Sequence, residues 1–360
     1  MIRVAYVINS VEGGGAAAPL PDIIGLLRSR GLAVRIYALT PRDRRALPVL
    51  ERECLDVAVR AGGESDHWAA FRWLDRQLLE WRPTHIWTSL TRATLIGQMV
   101  GLRRHVPVVS WQHAAYLKPA NLRLLRAARH LSRLWIGDSE CVTELTAERL
   151  QVKPSRLLCW PIFPVNTAAP QARPWRPGQR IRIGSLGRLH PVKGYDVLIT
   201  ALAILKAEGI APAGGYEVAI GGQGPERAVL EAAIAEAGLA HVMLPGFTDR
   251  PEDFLAGLHI YVQPSRSEGF CIAAHQAMQA GVPVVASAVG EMQYSVDCRS
   301  GAVVPPGDPR ALAKALANLL RYPDMLGAMG DAARRRVRRR FGRDAFVMRG
   351  DEIVRRISAL

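Results

Sequence analysis

Short runs of β-forming residues alternate with helix-length segments along the whole chain, and the alternation occurs twice. In the first half the runs are 3–8, 33–39, 85–89, 106–111, 134–139 and 156–160. In the second they are 181–186, 216–221, 241–245, 260–264, 282–287 and 301–304. Strands separated by helices do not pair as hairpins; they pair in parallel, with helices covering both sheet faces. Between the halves lies PVNTAAPQARPWRPGQR, residues 164–180, whose prolines and polar residues predict a linker. The expected fold class is therefore α/β, with two doubly wound, Rossmann-like parallel-sheet domains facing each other across a cleft. The predicted domains are 1–168 and 178–342. Residues 343–360 read as a helix that follows an already complete second domain and has the option of packing back onto the first. Sheets of this kind bind ligands outside the carboxyl ends of their strands, so the cleft is the expected site.

A chain of 360 residues is long enough for two such domains. Apolar residues make up 49% and charged residues 22%, and no apolar run is long enough to cross a bilayer. Residues 1–8 read directly as a strand, so no secretory leader is expected. Cys54, Cys141, Cys159, Cys271 and Cys298 are scattered and show no CxxC spacing. That points to a reducing cytoplasm and away from a structural zinc site. The formal net charge of +15 has two readings. One is a compositional bias toward Arg and Ala; the other is attraction to a membrane face, a lipid phosphate or a nucleotide. Nucleic acid is not expected, because no basic ribbon is interleaved with aromatic residues.

Several turns carry candidate chemistry. The first strand runs into EGGGAAAP at 12–19, where Gly13, Gly15 and Ala18 formally fit a dinucleotide fingerprint. The acidic residue that should hold a ribose is missing from the end of the second strand, where Arg42, Arg44 and Arg45 follow. The preferred reading is that amides of Gly14 and Gly15 face the cleft and its anionic ligand, with a merely tight strand-to-helix turn as the competing one. In GSLGRLHPVKGYDVLI, residues 184–199, Arg188 and Lys193 lie just past a strand end. A planar fork and a flexible ammonium can clamp a diphosphate from two sides; they can also be two solvated cations. In GGQGPE at 221–226, Gly222 and Gly224 permit a close backbone approach to a ligand, although many such turns use glycine.

The stretch SRSEGFCIAAHQAMQAGVPVVAS, residues 265–287, places Glu268 after a strand. A helix is predicted from Glu268 to about Ala280, with Gly281 as its stop. The amides of Gly269, Phe270 and Cys271 would then be open donors at a positive helix end. Glu268 can simply cap that helix, or it can accept hydrogen bonds from the hydroxyls of a sugar. Over eight residues a helix rises roughly 12 Å, which would let Gln276 reach a second part of the same ligand. His113, in SWQHAAY at 110–116, lies at a first-domain strand end facing the cleft, where a structural histidine is the competing reading.

Taken together, these residues resemble the retaining glycosyltransferases of family 4, which have the GT-B fold. The resemblance is continuous over about 184–320: GRLHPVKG, GGQGPE, LPGF, VQPSRSEGF, QAMQAGVPVVAS, VG and GAVVPPGDPRALAKAL occur in the family's order. The first half matches more weakly, through the Gly-rich turn, His113 and DSE at 138–140. The resemblance implies that Arg188 and Lys193 hold the donor diphosphate. It implies that Glu268 and the Gly269, Phe270 and Cys271 amides hold the transferred sugar. Position 276 would hold the ribose, and His113 would contact the donor sugar near the reacting carbon. Gly14 and Gly15 would approach the phosphates or the acceptor, and Gly222, Gly224, Phe247 and Ile272 would complete the donor site. The family has Glu at both ends of the 268–276 spacing, whereas this chain has Gln276. That departure bears on ribose binding and on activity.

The resemblance implies a retaining, metal-independent transfer of a hexose from a UDP- or GDP-linked sugar, with no further cofactor. The expected acceptor is a saccharide or a lipid-linked saccharide, in cell-surface polysaccharide, lipopolysaccharide or glycolipid synthesis. Residues 119–134 predict a helix with Arg123, Arg126, Arg129 and Arg133 at three-to-four spacing, which suits an anionic membrane surface or a solvated face. RRRVRRR at 334–340 adds a second basic patch. The expectation is a cytoplasmic bacterial enzyme, peripheral on the inner membrane face. Alternatives are a catalytically weak or silent nucleotide-sugar-binding relative, motivated by Gln276, a nucleotide-sugar epimerase or phosphorylase of the same fold, and an NADP oxidoreductase.

Overall fold

The computed structural model describes residues 1–12, 17, 19–42, 44, 46–113 and 117–360. The chain forms two compact units, Met1–Pro164 with Arg343–Leu360, and Val165–Gly342.

In the first unit the strands are β1 (Arg3–Ser10), β2 (Ala33–Thr40), β3 (Val57–Val59), β4 (His85–Ser89), β5 (Val108–Gln112), β6 (Ser132–Gly137) and β7 (Leu157–Cys159). They form one sheet in the order β3-β2-β1-β4-β5-β6-β7, and the pairs are parallel. The core strands are apolar on both faces because helices cover both; Val4, Ala5, Tyr6, Val7 and Ile8 are fully buried. The helix Arg343–Ser358 belongs to this unit. Asp351 pairs with Arg30, and the Trp160 indole N–H donates to the Phe346 carbonyl at 3.0 Å. Gly350 is required there, since a side chain would meet Leu26 at 2.1 Å and Trp160 at 2.8 Å.

The second unit holds β8 (Ile181–Leu186), β9 (Tyr216–Gly221), β10 (Val242–Gly246), β11 (Ile260–Gln263), β12 (Val284–Ser287) and β13 (Gly301–Val304). The order is β10-β9-β8-β11-β12-β13, again in parallel pairs. Strand order reverses between β1 and β4 and between β8 and β11, which puts a ligand-binding switch point at the carboxyl ends of those strands.

Three sequence expectations change. Residues 164–180 do not form a free linker, because from Val165 on they are part of the second unit. The Asn166 amide donates to the Gln279 side chain at 2.7 Å, and the Ala172 amide to the Ala280 carbonyl at 2.8 Å. The helix predicted over 119–134 ends at Ala128. Arg129 lies in a 3₁₀ turn and Arg133 on β6, so the four arginines do not share one helix face. β6 takes over there because Ser132 is buried against Ser110 and Gln98, and Trp135 is fully buried. Finally, β3 is a three-residue edge strand that no sequence run predicted. Among the described residues, no helix is long and apolar enough to cross a membrane.

Candidate functional site

The site residues of the second unit sit on loops leaving the switch-point strands. β8 leads into a loop carrying Arg188, held by Gly187 N–H to the Gly221 carbonyl and Leu189 N–H to the Gln223 carbonyl, each at 2.9 Å. Side chains at Gly222 and Gly224 would meet the Gly187 and Leu189 carbonyl oxygens at 1.9 and 2.1 Å. The close approach expected of these glycines is thus filled by the chain's own backbone. They shape the loop that presents Arg188, whose exposed side chain has no ion-pair partner among the described residues.

The next turn brings Lys193 to the other loop. His190 caps it by accepting from the Val192 amide at 3.2 Å. Gly194, at φ +65°, lies where a side chain would meet the Pro264 carbonyl oxygen at 2.1 Å. Arg266 fastens the two loops together. Its amide donates to the Val192 carbonyl at 2.8 Å, and its guanidinium donates to the Pro191 carbonyl and forks onto Asp196 at 2.7 and 2.5 Å. A bidentate fork of this kind fixes geometry as well as charge.

Glu268 is the centre of this arrangement. Its Oε1 accepts from Lys193 Nζ at 2.7 Å, Ser265 Oγ at 2.6 Å and Gln263 Nε2 at 3.0 Å. The Glu268 and Lys193 side chains are 9% and 22% exposed. Burial opposes the charge on Lys193, but the neighbouring Glu268 carboxylate outweighs it and holds the ammonium well above the usual lysine range. Tyr195, against the same pair, is pushed up to about 12 chiefly by burial. Lys193 and Glu268, assigned from the sequence to different parts of a donor, are here partners of each other.

The helix after Glu268 spans Ile272–Gln279, and Cys271 is its cap at φ +64°, the left-handed region. The predicted start at Glu268 is therefore four residues early. Glu268, Gly269 and Phe270 belong to the approach loop, and the open amides of the helix end begin at Cys271. The roughly 12 Å rise expected between Glu268 and Gln276 does not apply, because only part of that span is helical. Gln276 is half-buried, and its side-chain amide has no partner among the described residues. Ile272 opens the helix half-buried, and Phe247 stands 43% exposed beyond β10. Phe270 is buried and stacks on the His275 ring at 4.1 Å. Burial pushes His275 down to about 3, and its ring nitrogens meet the Cys271 carbonyl and Ser295 Oγ.

In the first unit His113 follows β5. Its Nε2 is 2.6 Å from Ser89 Oγ, its Nδ1 is 3.5 Å from Asp138 Oδ2, and its ring stacks on Trp111 at 5.5 Å. Its side chain is 7% exposed, with both ring nitrogens turned to its own chain. Gly13, Gly14, Gly15, Ala18 and Arg45 lie outside the described residues. Sequence reasoning missed Gln263, Ser265, Arg266 and Asp196, which hold the Lys193–Glu268 pair. The available signal was Gln263, a buried amide in an otherwise apolar parallel strand. Among the described residues no three His, Cys, Asp or Glu side chains are grouped to hold a metal ion.

Two parallel-sheet Rossmann-like units of this topology define the GT-B class, and comparison of folds agrees. The structure of Anabaena Alr3699/HepE in complex with UDP-glucose matches with a TM-score of 0.83 at 20% identity, covering 100% of both chains. Residues 171–336, which lie in the second unit, match the family model of glycosyl transferases group 1. A D-inositol 3-phosphate glycosyltransferase of Streptomyces coelicolor is 34% identical over 160 residues, 41% of this chain and 35% of that protein. The chain thus spans about a third of the length of that relative. One of the same name from Acidothermus cellulolyticus is 26% identical over 357 residues, covering 86% of this chain and 78% of that protein.

Proposed function

We propose that this chain is a retaining, metal-independent hexosyltransferase using a nucleotide-diphosphate sugar. The observation that carries the reading is the largely enclosed Lys193–Glu268 pair, beside a loop that presents Arg188, which has no ion-pair partner among the described residues. Lys193 lies against that loop: a side chain at Gly187 would come within 3.5 Å of its Cε. Breaking a sugar–diphosphate bond builds positive charge at the anomeric carbon and negative charge on the departing phosphate. Arg188 and the permanently charged Lys193 stabilise that phosphate, and the amides from Cys271 onward add donors. Glu268 accepts from sugar hydroxyls, and Gln276 takes the ribose. The acceptor attacks from the face the diphosphate leaves, and the diphosphate takes up the acceptor's proton.

The relatives' names direct the first trials to UDP-glucose as donor and to polyol phosphates and saccharides as acceptors. Arg123 and Arg126 stay exposed on the helix Pro119–Ala128, beside Leu124 at 54% exposure, which supports an anionic lipid surface near the acceptor. The test is an NMR time course of donor and acceptor with the purified chain. An inverted anomeric centre overturns the retaining assignment. Nucleotide binding without transfer or donor hydrolysis supports instead a silent nucleotide-sugar-binding protein, the reading that Gln276 favours. Failure to sediment with anionic vesicles at low salt removes the lipid surface.

A further inference from the structure

The basic run at 334–340 is not a uniform patch. It closes the helix Leu326–Phe341, and two of its arginines turn inward. Arg336 donates to the Ser295 carbonyl at 2.6 Å and pairs with Asp297 at 2.7 Å. Arg340 pairs with Glu291, whose side chain is 0% exposed. A fully buried carboxylate that the proposed chemistry does not use calls for a role of its own.

Its position supplies one. The Glu291 amide donates to the Gly269 carbonyl at 2.9 Å, which ties it to the loop that follows Glu268. Gly290, at φ +54°, lies so close to the same loop that a side chain would meet the Gly269 and Glu268 carbonyl oxygens at 2.3 and 2.4 Å. From behind, Phe341 meets the Phe270 ring at 4.9 Å and the His275 ring at 5.0 Å. The last turn of the helix Leu326–Phe341 therefore backs the Glu268–Cys271 loop at two points, one through an ion pair and one through aromatic packing.

We propose that Arg340 and Glu291 are positioning residues that set the Glu268–Cys271 loop, and with it the Glu268 carboxylate, from behind. Neither is assigned contact with a substrate. The inference rests on the reading of this loop as the sugar site, but its structural part is tested without any sugar. Amide hydrogen exchange is measured in Arg340→Met, in Glu291→Gln and in Arg338→Met, which alters an exposed neighbour on the same helix. The expected result is exchange at least about tenfold faster over 267–271 in the first two variants, with β13 in the same sheet unchanged. Donor kcat/KM falls with it, and Arg338→Met changes neither. Unchanged exchange over 267–271 in Glu291→Gln, which keeps a hydrogen-bonding group, overturns the proposal even if Arg340→Met does not fold. Acceleration spread evenly across both segments, or equal in Arg338→Met, overturns it as well. If the wild-type chain turns over no donor, the proposed function fails while the exchange result still judges the positioning.

Discussion

Lys193→Met is the perturbation that bears most directly on the site. It removes the cation from a carboxylate that is 9% exposed and leaves Ser265 and Gln263 on the same oxygen. Removing one partner of a buried pair costs about 3–5 kcal/mol, and two surviving donors place this case near ~3 kcal/mol. For a unit of this size each kcal/mol moves Tm by roughly 2–4 °C, so the second unit should melt about 6–12 °C lower. The pH of the assay follows from the sign of the shift. Folded Lys193 holds its proton more tightly than unfolded Lys193, so its contribution is complete below about 10.5 and fades only as pH rises beyond that. Calorimetry at pH 7 reads it in full. Adding Glu268→Leu to Lys193→Met removes the unpaired charge and should recover at least about half of the lost Tm, because an apolar pair replaces a buried ion pair at little cost. Donor turnover should stay abolished in both variants. A single variant that melts within about 1 °C of wild type, or a double variant no better than the single, refutes the assignment of a buried, mutually dependent pair.

Arg188→Ala should weaken donor binding by roughly tenfold or more in calorimetric titration while leaving Tm unchanged, since its exposed side chain has no ion-pair partner among the described residues. Gly222→Ala should act the other way round. A side chain there meets the Gly187 carbonyl oxygen at 1.9 Å, at a φ of +144°. Stability should fall by about 2 kcal/mol or more, with Arg188-dependent binding lost as a consequence. His275 remains neutral in the fold down to about 3, so the unfolded chain gains protons first as pH drops below the ordinary 6.5. Stability should fall by up to about 1.4 kcal/mol per pH unit from that point. Denaturant midpoints of His275→Gln, measured from pH 7 to 4, should show a shallower acid limb.

The strands were legible because buried parallel strands are short, continuous apolar runs, and most predicted runs lie within a residue or two of the observed ones. β3 escaped because three residues at a sheet edge carry too little pattern. The helix start at Ile272 escaped for a different reason. A cysteine at φ +64° carries no sequence signal for a left-handed cap, a position that glycine usually marks. Candidate site residues could be picked out by type and by strand-end position, but their pairings could not. Lys193 and Glu268 lie 75 residues apart, and only the adjacency of β8 and β11 joins them. The arginines at 334–340 were misread for the same reason. The carboxylate partners of Arg340 and Arg336, at 291 and 297, lie 49 and 39 residues upstream, and a charge run looks solvated until those partners are placed.

Gln276 sets the last test, because two effects there oppose each other. A charged acceptor at the ribose gains over a neutral one: hydrogen bonds to charged groups contribute about 1.5–3 kcal/mol against about 0.5–1.5. Taken alone, Gln276→Glu should tighten donor binding by roughly tenfold. The neighbouring charges argue the other way. In the proposed donor site Arg188 and Lys193 are positive and Glu268 is negative, so these three groups would carry one net positive charge to meet a diphosphate. A glutamate at 276 cancels it. At ~10 Å each unit of added repulsion is worth between about 0.4 kcal/mol in water and about 1.7 at an effective dielectric of 20, comparable to the gain. Salt separates the two, because the repulsion is screened over a Debye length of about 10 Å at 0.1 M while a direct hydrogen bond is not. Gln276→Glu should therefore show little gain in donor affinity at low ionic strength and a gain approaching tenfold at about 0.5 M salt, read by calorimetric titration. An affinity ratio that does not change with salt removes the electrostatic half of the argument. A variant weaker than wild type at every ionic strength shows that the amide is fitted to something other than a ribose diol.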